Sequence, residues 1–198
     1  MSVTVGAVVL AGGAARRMGG VDKLAIAVGE STLLDRVLSA ARPLCHRLVV
    51  VGPRRPTSVP GVEFTLERDR GGGPVPAVLA GAGILAGEID VALVLAGDLP
   101  LVTTAALARL VAFLESAAET HAAAALDERG APNPLFAAYR APVLEAAAGR
   151  ALGEGDRAAR LLPAATGVVD LGGEATLSVN RPADLRRARR LLTAARGG

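Results

Sequence analysis

Aromatic residues and cysteine are nearly missing from this 198-residue chain, which has no Trp, one Tyr, three Phe and one Cys. Cys45 alone can form no internal disulfide, so the chain fits a reducing cytoplasm with Cys45 as a buried apolar thiol and no ligand role. Single-stranded nucleic acid is disfavoured as a partner, because proteins that bind it stack bases on aromatic rings. The net charge of +3 is better explained by a small polyanionic substrate. No apolar run approaches the length of a membrane span, and Met1 to Leu10 lacks the basic start of a secretory signal, so a soluble protein without a membrane partner is expected. Lysine is as scarce as cysteine. Of 22 Lys and Arg residues only Lys23 is lysine, and asparagine occurs only at Asn133 and Asn180.

What is abundant is Ala, Val and Leu, with 51% of residues hydrophobic. A core of such side chains packs by close approach of its elements. The length suits one domain over residues 1–198, with a first half to about residue 100 and a second half from about 101. Val5 to Leu10 has the continuous apolar character of a buried strand. Thr32-Leu33-Leu34-Asp35 has the pattern of a helix start before an apolar periodic run to Ala41. Leu48 to Val51 is a second apolar strand, which makes a first βαβ unit with a right-handed crossover. Val62 to Leu66 is read as a strand, Pro76 to Ala86 as a helix and Val91 to Leu95 as a central strand. Thr103 or Thr104 caps a helix to about Ala118. His121 to Leu126, Pro132 to Tyr139 and Val168 to Asp170 are further strands. Asn180 is expected to cap a terminal Arg-rich helix that Pro182 enters. Gly81 and Gly83 lie in an Ala- and Leu-rich helical pattern and are assigned to helix packing. The expected fold is a single three-layer α/β/α Rossmann-like domain. Its sheet is mostly parallel, with one antiparallel strand or a small β appendage in the second half.

The stretch Val8 to Lys23 carries the chemistry. Gly12, Gly13, Gly19 and Gly20 follow the first strand, where glycine lets backbone N–H groups approach an anion without a Cβ in the way. Arg16, Arg17 and Lys23 bring positive charge to the same segment. It matches neither G-x-x-x-x-G-K-[ST] nor a G-x-G-x-x-G that opens a helix at once. Further along, Gly97-Asp98-Leu99-Pro100 ends the central strand, and an acid there stands where open α/β sheets bind ligands. One such carboxylate suffices for a magnesium ion that also binds substrate phosphates.

At Leu10-Ala11-Gly12-Gly13, Arg17-Met18-Gly19, Asp22-Lys23 and Gly97-Asp98-Leu99-Pro100 the sequence resembles the MobA-like nucleotidyltransferases, most of all the molybdenum cofactor guanylyltransferases. The resemblance is strongest before Pro100 and thinner after Ala123. It implies transfer of GMP from GTP to the terminal phosphate of molybdenum-bearing molybdopterin, with release of pyrophosphate. Leu10, Ala11, Gly12, Gly13, Gly52 and Asp69 would then face the nucleotide. Arg17 and Lys23 would neutralise the triphosphate, and Asp98 would hold Mg²⁺. Gly73, with Pro74, is placed at the start of a helix beside the nucleotide and acceptor, and Asn133 and Asn180 would face the acceptor. Transient contact with proteins that make or accept the molybdenum cofactor is also implied. Two alternatives stay open. One keeps the reaction but uses CTP or another phosphorylated acceptor; the other is a catalytically silent nucleotide binder, against which the presence of both Lys23 and Asp98 argues, since a silent binder could lose either.

Overall fold

Strands covered by helices on both faces carry apolar side chains at every position rather than at every second one, and two such runs occupy the middle of the sheet. The computed structural model describes residues 3–12, 22–68, 72–152 and 158–195. Its strands are β1 (Val5–Leu10), β2 (Ala27–Val28), β3 (Ser31–Thr32), β4 (Arg47–Val51) and β5 (Val62–Thr65), then β6 (Val91–Ala96), β7 (Ala122–Leu126), β8 (Pro132–Arg140) and β9 (Thr166–Val169). The helices are α1 (Leu33–Ala41), α2 (Pro74–Leu85), α3 (Thr104–Ser116), α4 (Ala141–Leu152) and α5 (Pro182–Ala194). Seven strands form one sheet in the order β5-β4-β1-β6-β8-β7-β9. β5, β4, β1 and β6 are parallel, β8 opposes both of its neighbours, and β9 is parallel to β7. α1, α3 and α5 pack on one face of the sheet, and α2 and α4 on the other. The expected mostly parallel α/β architecture is therefore observed.

The expected antiparallel strand in the second half is β8. The small β appendage lies in the first half instead: β2 and β3 form a two-stranded hairpin around Gly29, whose φ of 70° turns the chain. α1 starts as its sequence dictates, with Thr32 Oγ1 accepting the Asp35 N–H at 3.0 Å. α2 begins at Pro74 as expected of Gly73-Pro74, two residues before the apolar helical pattern read from Pro76, because proline at the first helical position sacrifices no hydrogen bond. α4 was absent from the expectation. It follows β8 without any intervening residue, so no turn signal marks its start. Asn180 is not the cap of α5. That position belongs to Arg181, and the Asp184 carboxylate reaches back to accept the N–H of Asn180 at 2.9 Å and of Arg181 at 2.7 Å.

Small residues set the spacing between layers. At Gly81 an added Cβ would stand 2.4 Å from Val8 Cγ1, so α2 can lie directly on β1 only while that position has no side chain. Cys45 is buried behind α1, and burial pushes its thiol up to about 12 against the opposing pull of the Arg42 charge. No helix among the described residues is long and apolar enough to cross a membrane.

Two glycines of α2 make opposite predictions. Gly81→Ala should lower the free energy of unfolding by about 1–3 kcal/mol through overpacking. Gly83 is exposed with nothing within 4 Å of an added Cβ, so Gly83→Ala should raise it by up to about 1 kcal/mol through helix propensity. Urea unfolding midpoints measure both, and equal shifts in the two variants would contradict the packing account.

Candidate active site

An open α/β sheet binds ligands beyond the carboxyl ends of its strands, where neighbouring strands send the chain to opposite sides. Here that crevice lies between β1 and β6, since the chain leaves β1 toward β4 on one side and β6 is reached from β5 through α2. Leu10 pairs with Val51 on one flank and Ala96 on the other. Ala11-Gly12, Gly52-Pro53 and Gly97-Asp98 therefore emerge at one level. The ladder runs on past the strand ends: the Ala11 N–H donates to Val51 O at 2.8 Å, the Gly52 N–H to Thr65 O at 2.8 Å, and the Gly97 N–H to Leu10 O at 2.9 Å. Gly52 is obligatory for this convergence. With φ at 152°, an added Cβ would fall 2.5 Å from the carbonyl carbon of Ala11.

The two charged residues singled out by sequence meet in the crevice. Asp22 Oδ1 accepts the Leu24 N–H at 3.2 Å and winds Lys23–Ala25 into one turn of 3₁₀ helix. From that turn Lys23 Nζ donates to Asp98 Oδ2 at 2.5 Å. Asp98 is only 9% exposed, and its other oxygen, Oδ1, is buried with no hydrogen-bond partner among the described residues. The Asp98 carbonyl accepts the Val179 N–H at 3.0 Å, which anchors the segment before α5 against the end of β6. Asn180 Oδ1 consequently lies 3.5 Å from Lys23 Nζ, while its Nδ2 donates to Ser178 Oγ at 3.0 Å.

Leu10, Ala11, Gly12, Gly52, Lys23 and Asp98 thus gather along one edge, and Asn180 joins them from the far end of the chain. Gly73 is the N-cap residue of α2 with φ at 84°, and Asn133 on β8 uses Oδ1 to accept the Leu135 N–H at 2.9 Å. Among the described residues no hydrogen bond joins either of them to Lys23 or Asp98. Gly13, Arg17 and Asp69 lie outside the described residues.

Two participants escaped the sequence reading. Arg55 donates to Ala11 O at 2.9 Å, Pro53 O at 3.1 Å and Asp22 Oδ2 at 2.6 Å. It ties the exits of β1 and β4 to the turn that carries Lys23. Glu67 follows β5, and its Oε1 would lie 3.5 Å from a Cβ built on Gly12, while its Oε2 is buried without a partner among the described residues. The signal for Glu67 was available: it is an acid just past a parallel strand's carboxyl end, the same rule that singled out Asp98. For Arg55 no local pattern distinguishes it from Arg54, which lies over the Phe64 ring.

Chemically, the edge offers an ammonium group, a carboxylate with one free acceptor, and converging strand ends, which suits a phosphate together with a cation. Among the described residues no three His, Cys, Asp or Glu side chains group as metal ligands. Mg²⁺ fits nonetheless, because it is bound through one or two carboxylates with phosphates and waters supplying the rest, and Asp98 Oδ1 is an acceptor lacking a donor among the described residues. Neither histidine is near: the His46 N–H donates to Val5 O at the amino end of β1, and His121 directly precedes β7, whose first residue shares the β8 neighbour Tyr139 with Ala92 at the amino end of β6. Both stand at the opposite edge of the sheet.

The family model for the MobA-like NTP transferase domain matches residues 7–167, and the chain belongs to that family of nucleotidyltransferases. More particularly, it is 35% identical over 153 residues to a probable molybdenum cofactor guanylyltransferase of Mycobacterium ulcerans (strain Agy99), covering 73% of this chain and 72% of that one. It is 30% identical over 135 residues to a molybdenum cofactor guanylyltransferase of Shewanella sp. (strain ANA-3), covering 67% and 68%. The crystal structure of molybdopterin-guanine dinucleotide biosynthesis protein A from Archaeoglobus fulgidus superposes with a TM-score of 0.71 over 96% of this chain and 99% of that one. At 22% identity that likeness speaks for the fold alone.

Arg55 should be a structural strut of this edge. With its side chain 12% exposed, Arg55→Ala should cost about 1–2 kcal/mol of stability in urea unfolding. Arg55→Lys should recover less than half, because a single ammonium cannot span two carbonyls and a carboxylate as the guanidinium fork does. Full recovery in Arg55→Lys would contradict the bridging role.

Proposed function

We propose that the protein is a Mg²⁺-dependent molybdenum cofactor guanylyltransferase, which transfers GMP from GTP to the terminal phosphate of molybdenum-bearing molybdopterin and releases pyrophosphate. The observation that carries the reading is the Lys23–Asp98 pair in the β1–β6 crevice, with Asp98 Oδ1 left unpartnered among the described residues. The names of the relatives that share most of the chain's length support the guanine nucleotide and the pterin acceptor.

In this reaction a phosphate oxygen of the acceptor forms a new P–O bond to the α-phosphorus. The bond to the β-phosphate bridging oxygen breaks, and pyrophosphate carries the electron pair away. The nucleophile is already an anion, so no general base is required, in keeping with histidines that lie at the far edge. The remaining difficulty is charge repulsion between two phosphates, which positioning and preorganised positive charge offset. Lys23 supplies that charge from a turn fixed by Asp22, and the strand end at Gly12 lines the approach. Asp98 orients Lys23 and presents Oδ1 to the ion, and Mg²⁺, when bound, offsets negative charge on the reacting phosphates. Asn180, beside Lys23, stands on the side from which the acceptor enters.

Saturating GTP with Mg²⁺ should raise thermal stability, by about 2.7 kcal/mol at a hundred times Kd, and more than CTP, ATP or UTP does. Incubation with molybdenum-loaded molybdopterin should then yield the guanine dinucleotide and pyrophosphate. Asp98→Asn should abolish that turnover while nucleotide binding survives in part. A larger stabilisation by CTP would contradict the guanine assignment, and undiminished turnover in Asp98→Asn would contradict the metal assignment.

A further inference from the structure

The backbone of the turn that carries Asp98 is tethered to β1, to the segment before α5 and to α1. The Gly97 N–H donates to Leu10 O, and the Asp98 carbonyl accepts the Val179 N–H. The tether to α1 is a side chain: Arg36 donates its Nε–H to the buried Pro100 carbonyl at 2.5 Å. α1 also holds the turn that carries Lys23. The Leu33 N–H at the start of α1 donates at 3.0 Å to the carbonyl of Ile26, which directly follows the 3₁₀ turn Lys23–Ala25. Leu24 of that turn lies against Gly97, where an added Cβ would stand 3.1 Å from Leu24 Cδ1. A closed path therefore runs from Lys23 through Leu33 and Arg36 to Pro100, and it is completed where Lys23 meets Asp98.

We propose that Arg36 is a positioning residue for the metal, which by fixing Pro100 sets the direction in which Asp98 presents Oδ1; the inference rests on the Mg²⁺ reading given above. In that reading the carboxylate has two tasks, with Oδ2 held by Lys23 and Oδ1 turned to the ion. A short side chain meets both only while its backbone stays in place. Arg36 needs no contact with nucleotide or ion to secure this, because it acts on the backbone two residues beyond the ligand. A guanidinium suits the task, since it stays charged at any working pH and a charged donor makes the stronger hydrogen bond. Groups that orient a metal ligand without touching the ion govern metal affinity by roughly 10–100-fold.

The test measures the dissociation constant of GTP with Mn²⁺, which takes the same oxygen ligands as Mg²⁺, and again with the metal chelated. Acceptor is left out, so no turnover occurs, and the ratio of the two constants is compared within each protein. In the parent, Mn²⁺ should tighten GTP binding. Arg36→Met should shrink that metal effect roughly tenfold and leave the metal-free constant unchanged. Arg36→Lys, which still offers an N–H to the carbonyl, should restore most of it. Should the methionine variant not fold, Arg36→Gln, a shorter neutral side chain, makes the same comparison. Arg140→Met is the control for stability alone. Arg140 donates to carbonyls at the opposite edge of the sheet, Thr120 O at 2.9 Å and Leu114 O at 3.0 Å, so its loss should lower the melting temperature without moving the ratio. A ratio equal to the parent's in the neutral Arg36 variant would overturn the role. An equal fall in Arg140→Met would also overturn it, because lost stability would then explain the effect. A parent protein in which Mn²⁺ does not tighten GTP binding would overturn the metal reading and this role with it.

Discussion

The contact between Lys23 and Asp98 spans 75 positions in sequence and closes the crevice at the middle of the sheet. The remaining arrangement can be understood as what is needed to make that contact at that place. β1 and β6 must be adjacent and in register, so that Leu10 faces Ala96 and the two exits emerge side by side. Gly97 must let its N–H reach Leu10 O, and Asp22 must turn the chain so that the lysine points inward. A charged pair shielded from water is costly to leave half made. Among the described residues one oxygen of Asp98 is nevertheless left without a donor, which is a cost that a cation can relieve.

Close packing of small side chains is the second constraint. Few aromatic residues fill this interior, so layers must approach until Ala, Val and Leu touch. Gly81 permits this between α2 and β1, and Gly52 permits it between the exits of β1 and β4. The same economy that lets β4 crowd β1 brings the Gly52–Arg55 segment against Ala11, where Arg55 can clamp it. Asp35 adds a further tie, since its buried carboxylate accepts the Thr57 hydroxyl at 2.5 Å and the Ser58 hydroxyl at 3.2 Å, fastening the loop after β4 onto α1. Rigidity at the strand ends and the position of the charged pair thus have one source.

Much of this was legible in the sequence. The uninterrupted apolar runs of β1, β4 and β6 gave away buried parallel strands, and Thr32 and Thr103 marked helix starts that the structure contains. Lys23 and Asp98 were conspicuous because one is the chain's only lysine and the other ends a central strand. What stayed hidden depends on contacts between distant segments. α4 begins directly after the last residue of β8 with no punctuation, and the cap of α5 is reached from Asp184 rather than supplied by Asn180. Arg55 and Glu67 acquire their meaning only when β4 and β5 are laid beside β1. A single sequence carries no record of that order, because the hydrophobic pattern of a strand buried on both faces is the same wherever it stands in the sheet.

The central claim is that Lys23 and Asp98 act as one unit on the bound nucleotide, and a double-mutant cycle tests it most directly. Turnover would be measured for the parent, Lys23→Met, Asp98→Asn and the double variant at saturating GTP, Mg²⁺ and acceptor, with folding checked by thermal melts. If the two side chains form one device, the double variant should be about as impaired as the worse single variant, with an interaction energy of roughly 1–3 kcal/mol. Strictly multiplicative losses, with no interaction energy, would contradict the account.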